Sequence, residues 1–325
     1  MSFDLSPSLV ALTEGGLTPV PKPSKCDDRV AETHYHFILG SFDLLPSAKT
    51  GKAPTKLGVF DSGLGGLSVL RALQATMRCV DYLYVADSAF APYGDHDALW
   101  VKERSLRITE FRIASGASGV AVACNTASAV ALGALRENYP GARFVRIEPR
   151  MKLTVEASRK NGNGRIGVMA TFATLSSERF DQLQQAQAKG SFVLRQPCPG
   201  LADLIEQGDL NAPAVVVAVR RFFEPLRQAN VDTVALACTH YPLVAHYRQK
   251  ALGHDVQLID TAHAVARHAA RHFGIASMRE CAVAPPRVAL LTTGDELHRA
   301  TLEKIAGLYF PSTVSVQKTD LNHAV

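Results

Sequence analysis

Two cysteines sit in nearly the same local sequence, far apart in the chain. One is Val120-Ala121-Val122-Ala123-Cys124-Asn125-Thr126; the other is Val234-Ala235-Leu236-Ala237-Cys238-Thr239-His240. Each follows a short apolar run and precedes what reads as a helix start. A thiol there feels the positive end of the helix dipole, which favours thiolate. Two such thiols facing each other across a bound molecule could act together, one removing a proton while the other supplies one to the opposite face. That is inversion of a stereocentre without a cofactor.

Further residues could serve such chemistry. In Asp61-Ser62-Gly63-Leu64-Gly65-Gly66 the glycines would let backbone N–H groups approach an anion at a helix start, and they read equally well as a tight turn. Asp61 could orient or deprotonate a neighbouring thiol. Asp87 to Gly94 ends in Pro92-Tyr93-Gly94, a turn signal. Asn125 and Thr126 are ordinary helix caps and also suitable donors to a carboxylate or amine. Pro242 suits a first helical turn, and His240 can assist proton transfer at Cys238. A Cys-x-His pair also suggests zinc, but a structural site needs four ligands and no matching cluster lies nearby, so no metal is expected.

The elements that must position these residues alternate strand and helix. Strand 57–60 leads into the glycine loop and a helix with Leu67, Leu70, Leu73 and Met77 on one face. Strand 82–85 ends at Asp87, a helix spans about 97–115, strand 119–123 leads to Cys124, and an Ala-rich helix runs to about Asn138. Strand 144–147 ends at Glu148-Pro149. After the Asn161 to Gly164 turn the cycle restarts: strand 165–171 echoes the first, and strand 232–237 leads to Cys238. This predicts two similar α/β/α domains with mostly parallel sheets, related by a pseudo-twofold, with the site between them at the strands' carboxyl ends. The expected division is 56–148 plus 256–325 for the first domain and 149–255 for the second. A strand at 256–259, a helix through His263 to His272, a strand at 287–292 and a helix from Asp295 complete the pattern. Residues 1–55, interrupted by Pro19, Pro21, Pro23, Pro46 and Pro54, read as a partly ordered extension whose Phe37-Ile38-Leu39 patch could dock on the body.

Composition bounds the class. The 325 residues are 47% hydrophobic, with a net charge of +5 spread along the chain. A distributed surplus reads as a solubility feature rather than a nucleic-acid footprint. No apolar run spans a bilayer, and the start Met1-Ser2-Phe3-Asp4 carries no basic signal, so a cytoplasmic location is expected. Six cysteines (Cys26, Cys79, Cys124, Cys198, Cys238, Cys281) without CxxC spacing read as free thiols in that compartment. A homodimer is left open.

Gly58 to Gly63, Ala123 to Ser128 and Cys238 to Leu243 together resemble glutamate racemase, of the aspartate/glutamate racemase superfamily, over about residues 57–310. The resemblance implies interconversion of L- and D-glutamate without pyridoxal phosphate or metal, feeding peptidoglycan synthesis. It makes Cys124 and Cys238 the acid/base pair, Asp61 the acid near the first, and Glu206 with His240 the set near the second. It implies substrate contacts at Asp61, Ser62, Tyr93, Gly94, Asn125, Thr126, Thr174, Thr239 and His240. The chain departs from the family pattern at Phe90, where Arg is usual, and at Arg150, where a small residue is usual. Three alternatives stay open: another amino acid such as aspartate as substrate, a degenerate racemase with a regulatory binding role, and a dinucleotide-binding module using Gly63-Leu64-Gly65. The last lacks the third glycine, since Ser68 stands there.

Overall fold

In the computed structural model the described residues are 56–247, 251–253, 255–275, 286–310 and 315–321. The extension 1–55, with its Phe37 to Leu39 patch, lies outside them. The first four strands are β1 (Lys56–Asp61), β2 (Asp81–Ala86), β3 (Gly119–Val122) and β4 (Arg143–Arg146). They are followed by β5 (Arg165–Ala170), β6 (Phe192–Pro197), β7 (Thr233–Leu236) and β8 (Gln257–Ile259), then β9 (Val288–Thr292) and β10 (Val316–Lys318). One sheet has the order β10-β9-β2-β1-β3-β4 and the other β6-β5-β7-β8, with every pairing parallel. The order β2-β1-β3-β4 is repeated as β6-β5-β7-β8, so the repeated sequence signal corresponds to a repeated topology.

Helices cover both faces of the first sheet, which is why its inner strands β1, β2, β3 and β9 are buried along nearly their whole length rather than alternating. Leu57 and Val59 of β1 pack with Leu67, Leu70, Leu73 and Met77 of the region around helix α1 (Leu67–Thr76). Phe60 of the same strand packs on the other side with Val101 and Ile108 of helix α2 (Ala98–Ala114). Asp97 starts α2, its side chain accepting the Trp100 N–H. The Ala-rich segment after β3 forms two helices, α3 (Asn125–Val130) and α4 (Leu132–Asn138), separated at Ala131. In the second sheet, Ile166 and Val168 of β5 pack with Met151 and Val155 of helix α5 (Met151–Asn161).

Two expectations are corrected. The strand at 257–259, expected with the first half, hydrogen-bonds to β7 and so extends the second sheet; the crossing back follows it, and β9 pairs with β2. A three-residue run carries no local signal of which sheet it joins. Cys79 is disulfide-bonded, so the cysteines are not all free; Cys124, Cys198 and Cys238 are free and buried. Among the described residues no helix is long and apolar enough to cross a membrane.

Candidate active site

Parallel strands deliver their carboxyl ends to one side of a sheet, and in this chain both sheets deliver theirs to a common cavity. Asp61 ends β1, Cys124 lies just past β3, Thr171 follows β5, and Cys238 lies just past β7. The cavity is small, with room for only a small molecule. Ser62, Pro92, Tyr93, Gly94, Cys124, Asn125 and Thr126 line it from the first half of the sequence, and Thr171, Ala202, Cys238, Thr239 and His240 from the second.

The two thiols have different surroundings. Cys124 Sγ donates to Ser62 Oγ at 3.8 Å. Burial, then the Asp61 charge, push this thiol up to about 12, against the pull of the Ala127 N–H and the Ser62 hydroxyl. The helix start was expected to favour thiolate. Burial outweighs a six-residue helix, so Cys124 rests as the protonated thiol. Cys238 Sγ lies 3.7 Å from His240 Nδ1, and His240 Nε2 meets Glu206 Oε1. Burial alone would favour the neutral ring. Hydrogen bonds to Cys238 and Glu206, with the Glu206 charge, outweigh it and hold the imidazole well above its usual range. His240 is therefore an imidazolium at neutral pH. The turn after Cys238 is a 3-10 helix, Tyr241–Tyr247, not the α-helix expected there.

Asp61 and Glu206 stand behind the cavity wall and tie the halves together. Asp61 is fully buried; its Oδ2 accepts the Gly66 N–H at 2.7 Å and the Thr239 hydroxyl at 3.2 Å. Burial lifts this carboxyl to about 6, with the Glu206 charge adding and His240 opposing. Glu206 Oε1 accepts the Leu64 N–H at 2.7 Å, a bond from the second half to the first half's glycine loop. Thr174, expected at the substrate, lies in the neighbouring cavity instead. It receives a hydrogen bond from the Thr171 hydroxyl at 3.0 Å, and it is Thr171 that faces the site, 3.1 Å from Thr126 Oγ1. Thr171, expected as the last residue of strand 165–171, is instead the N-cap of the helix after β5, its side chain accepting the Thr174 N–H. Phe90 and Arg150 do not line the cavity.

Asn125 is 5% exposed, and both polar atoms of its amide lack a partner among the described residues. Each such atom costs roughly 1–3 kcal/mol when buried unpaired. The side chain caps no helix among the described residues, and it lines the cavity with both polar atoms unpartnered.

The glycine loop owes its composition to close packing. A Cβ at Gly63 would lie 1.9 Å from Glu206 Oε1, and one at Gly65 would lie 2.7 Å from His240 Nδ1 and 2.8 Å from the His240 backbone nitrogen. Gly65→Ala should therefore push His240 away from Cys238. The expected loss in turnover is about 100-fold, the scale of a 1 Å misplacement. Steady-state kinetics, with circular dichroism to show an intact fold, measure it.

The arrangement can place a proton donor and a proton acceptor at two sides of one small molecule. Residues 67–269 match the model of the Asp/Glu/hydantoin racemase family. The chain is 38% identical over 275 residues to a glutamate racemase of Ralstonia pickettii, covering 85% of this chain and 95% of the relative. It is 40% identical over 266 residues to a glutamate racemase of Pseudomonas paraeruginosa, covering 82% and 97%. Among solved structures, a glutamate racemase isoform of Bacillus anthracis matches with TM-score 0.69 at 29% identity, covering 82% of this chain and 98% of that one. The Escherichia coli glutamate racemase, solved with L-glutamate and the activator UDP-MurNAc-Ala, matches with TM-score 0.67 at 27% identity, covering 81% and 97%. The chain belongs to the Asp/Glu/hydantoin racemase family and, within it, to the glutamate racemases.

Proposed function

We propose that this protein interconverts L- and D-glutamate with Cys124 and Cys238 as a two-base pair and no cofactor. The observation carrying this is that both thiols line one small cavity, each with its own polar partners. Glutamate as the substrate rests on the relatives, named glutamate racemases, and on the E. coli structure with L-glutamate.

The unequal surroundings give the thiols different starting states. Cys124 begins as the donor, being a protonated thiol. We assign Cys238 the role of acceptor, with the His240 ring 3.7 Å from its sulfur placed to stabilise negative charge formed there. One turnover leaves the proton on Cys238 and the charge on Cys124, and the reverse reaction uses that state. Asp61 orients the Cys124 side, and the site resets when Cys124 regains a proton and Cys238 releases one. The orphaned Asn125 amide, the hydroxyls of Ser62, Thr126 and Thr239, and the N–H groups of the surrounding loops hold the substrate's carboxylates and amine. Tyr93 and Gly94 form the opposite wall. Preorganised donors carry the load of stabilising the carbanion, since no electron sink is invoked. We place the enzyme in the cytoplasm, supplying D-glutamate for peptidoglycan.

Purified protein with L-glutamate should lose its circular dichroism signal as the racemate forms, and L-aspartate should change far more slowly. An unchanged L-glutamate signal refutes the reading; faster loss with L-aspartate reassigns the substrate.

The raised Asp61 carboxyl gives a pH prediction. Its folded value of about 6 exceeds the unfolded 3.8, so folding favours the proton. The stability from this group is full below pH ~4 and is lost as pH rises toward 6, with a penalty of ~3 kcal/mol above that. Asp61→Asn should therefore melt higher than the wild type at pH 7.5, by a margin that vanishes near pH 4. It should also lose activity. In the wild type kcat/KM should fall below pH ~6, as the carboxylate takes up its proton. Thermal melts across pH and a pH–rate profile check both statements.

A further inference from the structure

A buried ion pair behind the Tyr93 wall is not used by the chemistry above. Asp87 follows β2, is fully buried, and donates its backbone N–H to the Asp61 carbonyl at 3.0 Å. Its carboxylate collects four hydrogen bonds. Arg104 of α2 grips it with Nε at 2.7 Å and Nη2 at 2.6 Å. The Tyr93 hydroxyl donates at 2.6 Å and the Thr293 hydroxyl at 2.8 Å. Tyr93 and Gly94 in turn line the cavity, and Gly94 packs so closely on Thr171 of the other half that a Cβ there would lie 2.6 Å from Thr171 Cγ2. The chain of contacts runs from Arg104 through Asp87 to the wall that faces Cys124 and Cys238.

Phe90 completes this arrangement. The Arg104 guanidinium carbon lies 4.0 Å from the centre of the Phe90 ring, within cation–π range. The ring, packed on Trp100 at 5.8 Å, covers the ion pair from solvent, and Arg104 is only 8% exposed.

We propose that Arg104 is a positioning residue for racemisation, holding Tyr93 and Gly94 at the cavity through Asp87. Without it, Asp87 remains buried with no cation and only the hydroxyls of Tyr93 and Thr293, so water or local rearrangement must replace the guanidinium. The wall that contacts the substrate then shifts, although Arg104 touches no reacting atom. The proposal rests on the glutamate racemase reading for its kinetic readout.

The test is a mutant cycle on the full-length protein with L-glutamate. Arg104→Met should raise KM and lower kcat/KM by about 10- to 100-fold. Tyr93→Phe, which removes only the link to Asp87, should act in the same direction. The double variant should lose no more than Arg104→Met alone, because the two act along one chain of contacts. If Arg104→Met does not fold, Arg104→Lys replaces it in the cycle, keeping the charge and losing the two-point grip. Unchanged kinetics in the Arg104 variant, or additive losses, would overturn the proposal. Amide hydrogen exchange over residues 87–96 without substrate gives a second readout. It should speed up in the Arg104 variant, and no change there refutes the positioning role. If the wild type leaves glutamate untouched, the substrate reading fails while hydrogen exchange still decides the role of Arg104.

Discussion

Replacing Cys124 or Cys238 by alanine should abolish racemisation while leaving the fold in place. A positioned acid or base contributes typically 10²–10⁴-fold. The site needs one on each side of the substrate, so each replacement should cost at least about 10³-fold in kcat. Both residues are buried, at 4% and 7% exposure. Removing one sulfur leaves a small cavity, an effect on the ordinary scale of ~1 kcal/mol for stability. Activity and stability are thus expected to separate clearly. Racemisation has an equilibrium constant of one, so any variant must lower kcat/KM equally in both directions, whichever thiol it removes. What should differ is exchange. A variant keeping one thiol can remove and return a proton on a single face, so in D2O it should label only the enantiomer whose Cα–H faces that thiol. Cys124→Ala and Cys238→Ala should therefore label opposite enantiomers. Polarimetry and mass spectrometry of each separated enantiomer measure the two effects.

Glu206→Gln should be the next most damaging change. Glutamine keeps an oxygen for the Leu64 N–H and so preserves the bond between the halves. It removes the charge that faces His240 Nε2. Burial favours the neutral ring, and with the Glu206 charge gone only the Cys238 side still opposes it, so the His240 imidazolium is less favoured. Negative charge on Cys238 Sγ then loses part of its stabilisation. A fall in kcat of about 100-fold is expected, the scale of losing one electrostatic contact to developing charge. His240→Asn should lose a similar amount, and the double variant little more, because the two residues act as one unit. Losses that add would show that Glu206 and His240 serve separate roles.

Much of this site could be read in the chain before its fold. The repeated apolar runs ending in Cys124 and Cys238 are local patterns, and parallel buried strands write such runs plainly. The repeated order of strands in the two sheets followed from the same repetition. What could not be read depends on residues brought together by folding. The Cys124 thiol is governed by burial and Asp61, not by the helix start beside it. Glu206 reaches Leu64 across the halves, and the crowding at Gly63 and Gly65 comes from Glu206 and His240, far away in sequence. The strand Gln257–Ile259 is too short to declare its sheet, and Thr171 read as a strand end although it caps a helix and lines the site. Arg104 lies in a charged helix where nothing marks it from its neighbours until Asp87 is placed beneath it.

The central claim is that two thiols share the reaction, one on each face. Wild-type enzyme acting on L-glutamate in D2O, sampled early in the reaction, tests it most directly. The account predicts D-glutamate carrying deuterium at Cα, while the remaining L-glutamate stays unlabelled, because the proton removed by one thiol is not the one supplied by the other. D-glutamate that retains the original protium, or L-glutamate labelled as fast as product forms, would show a single base serving both faces and contradict it.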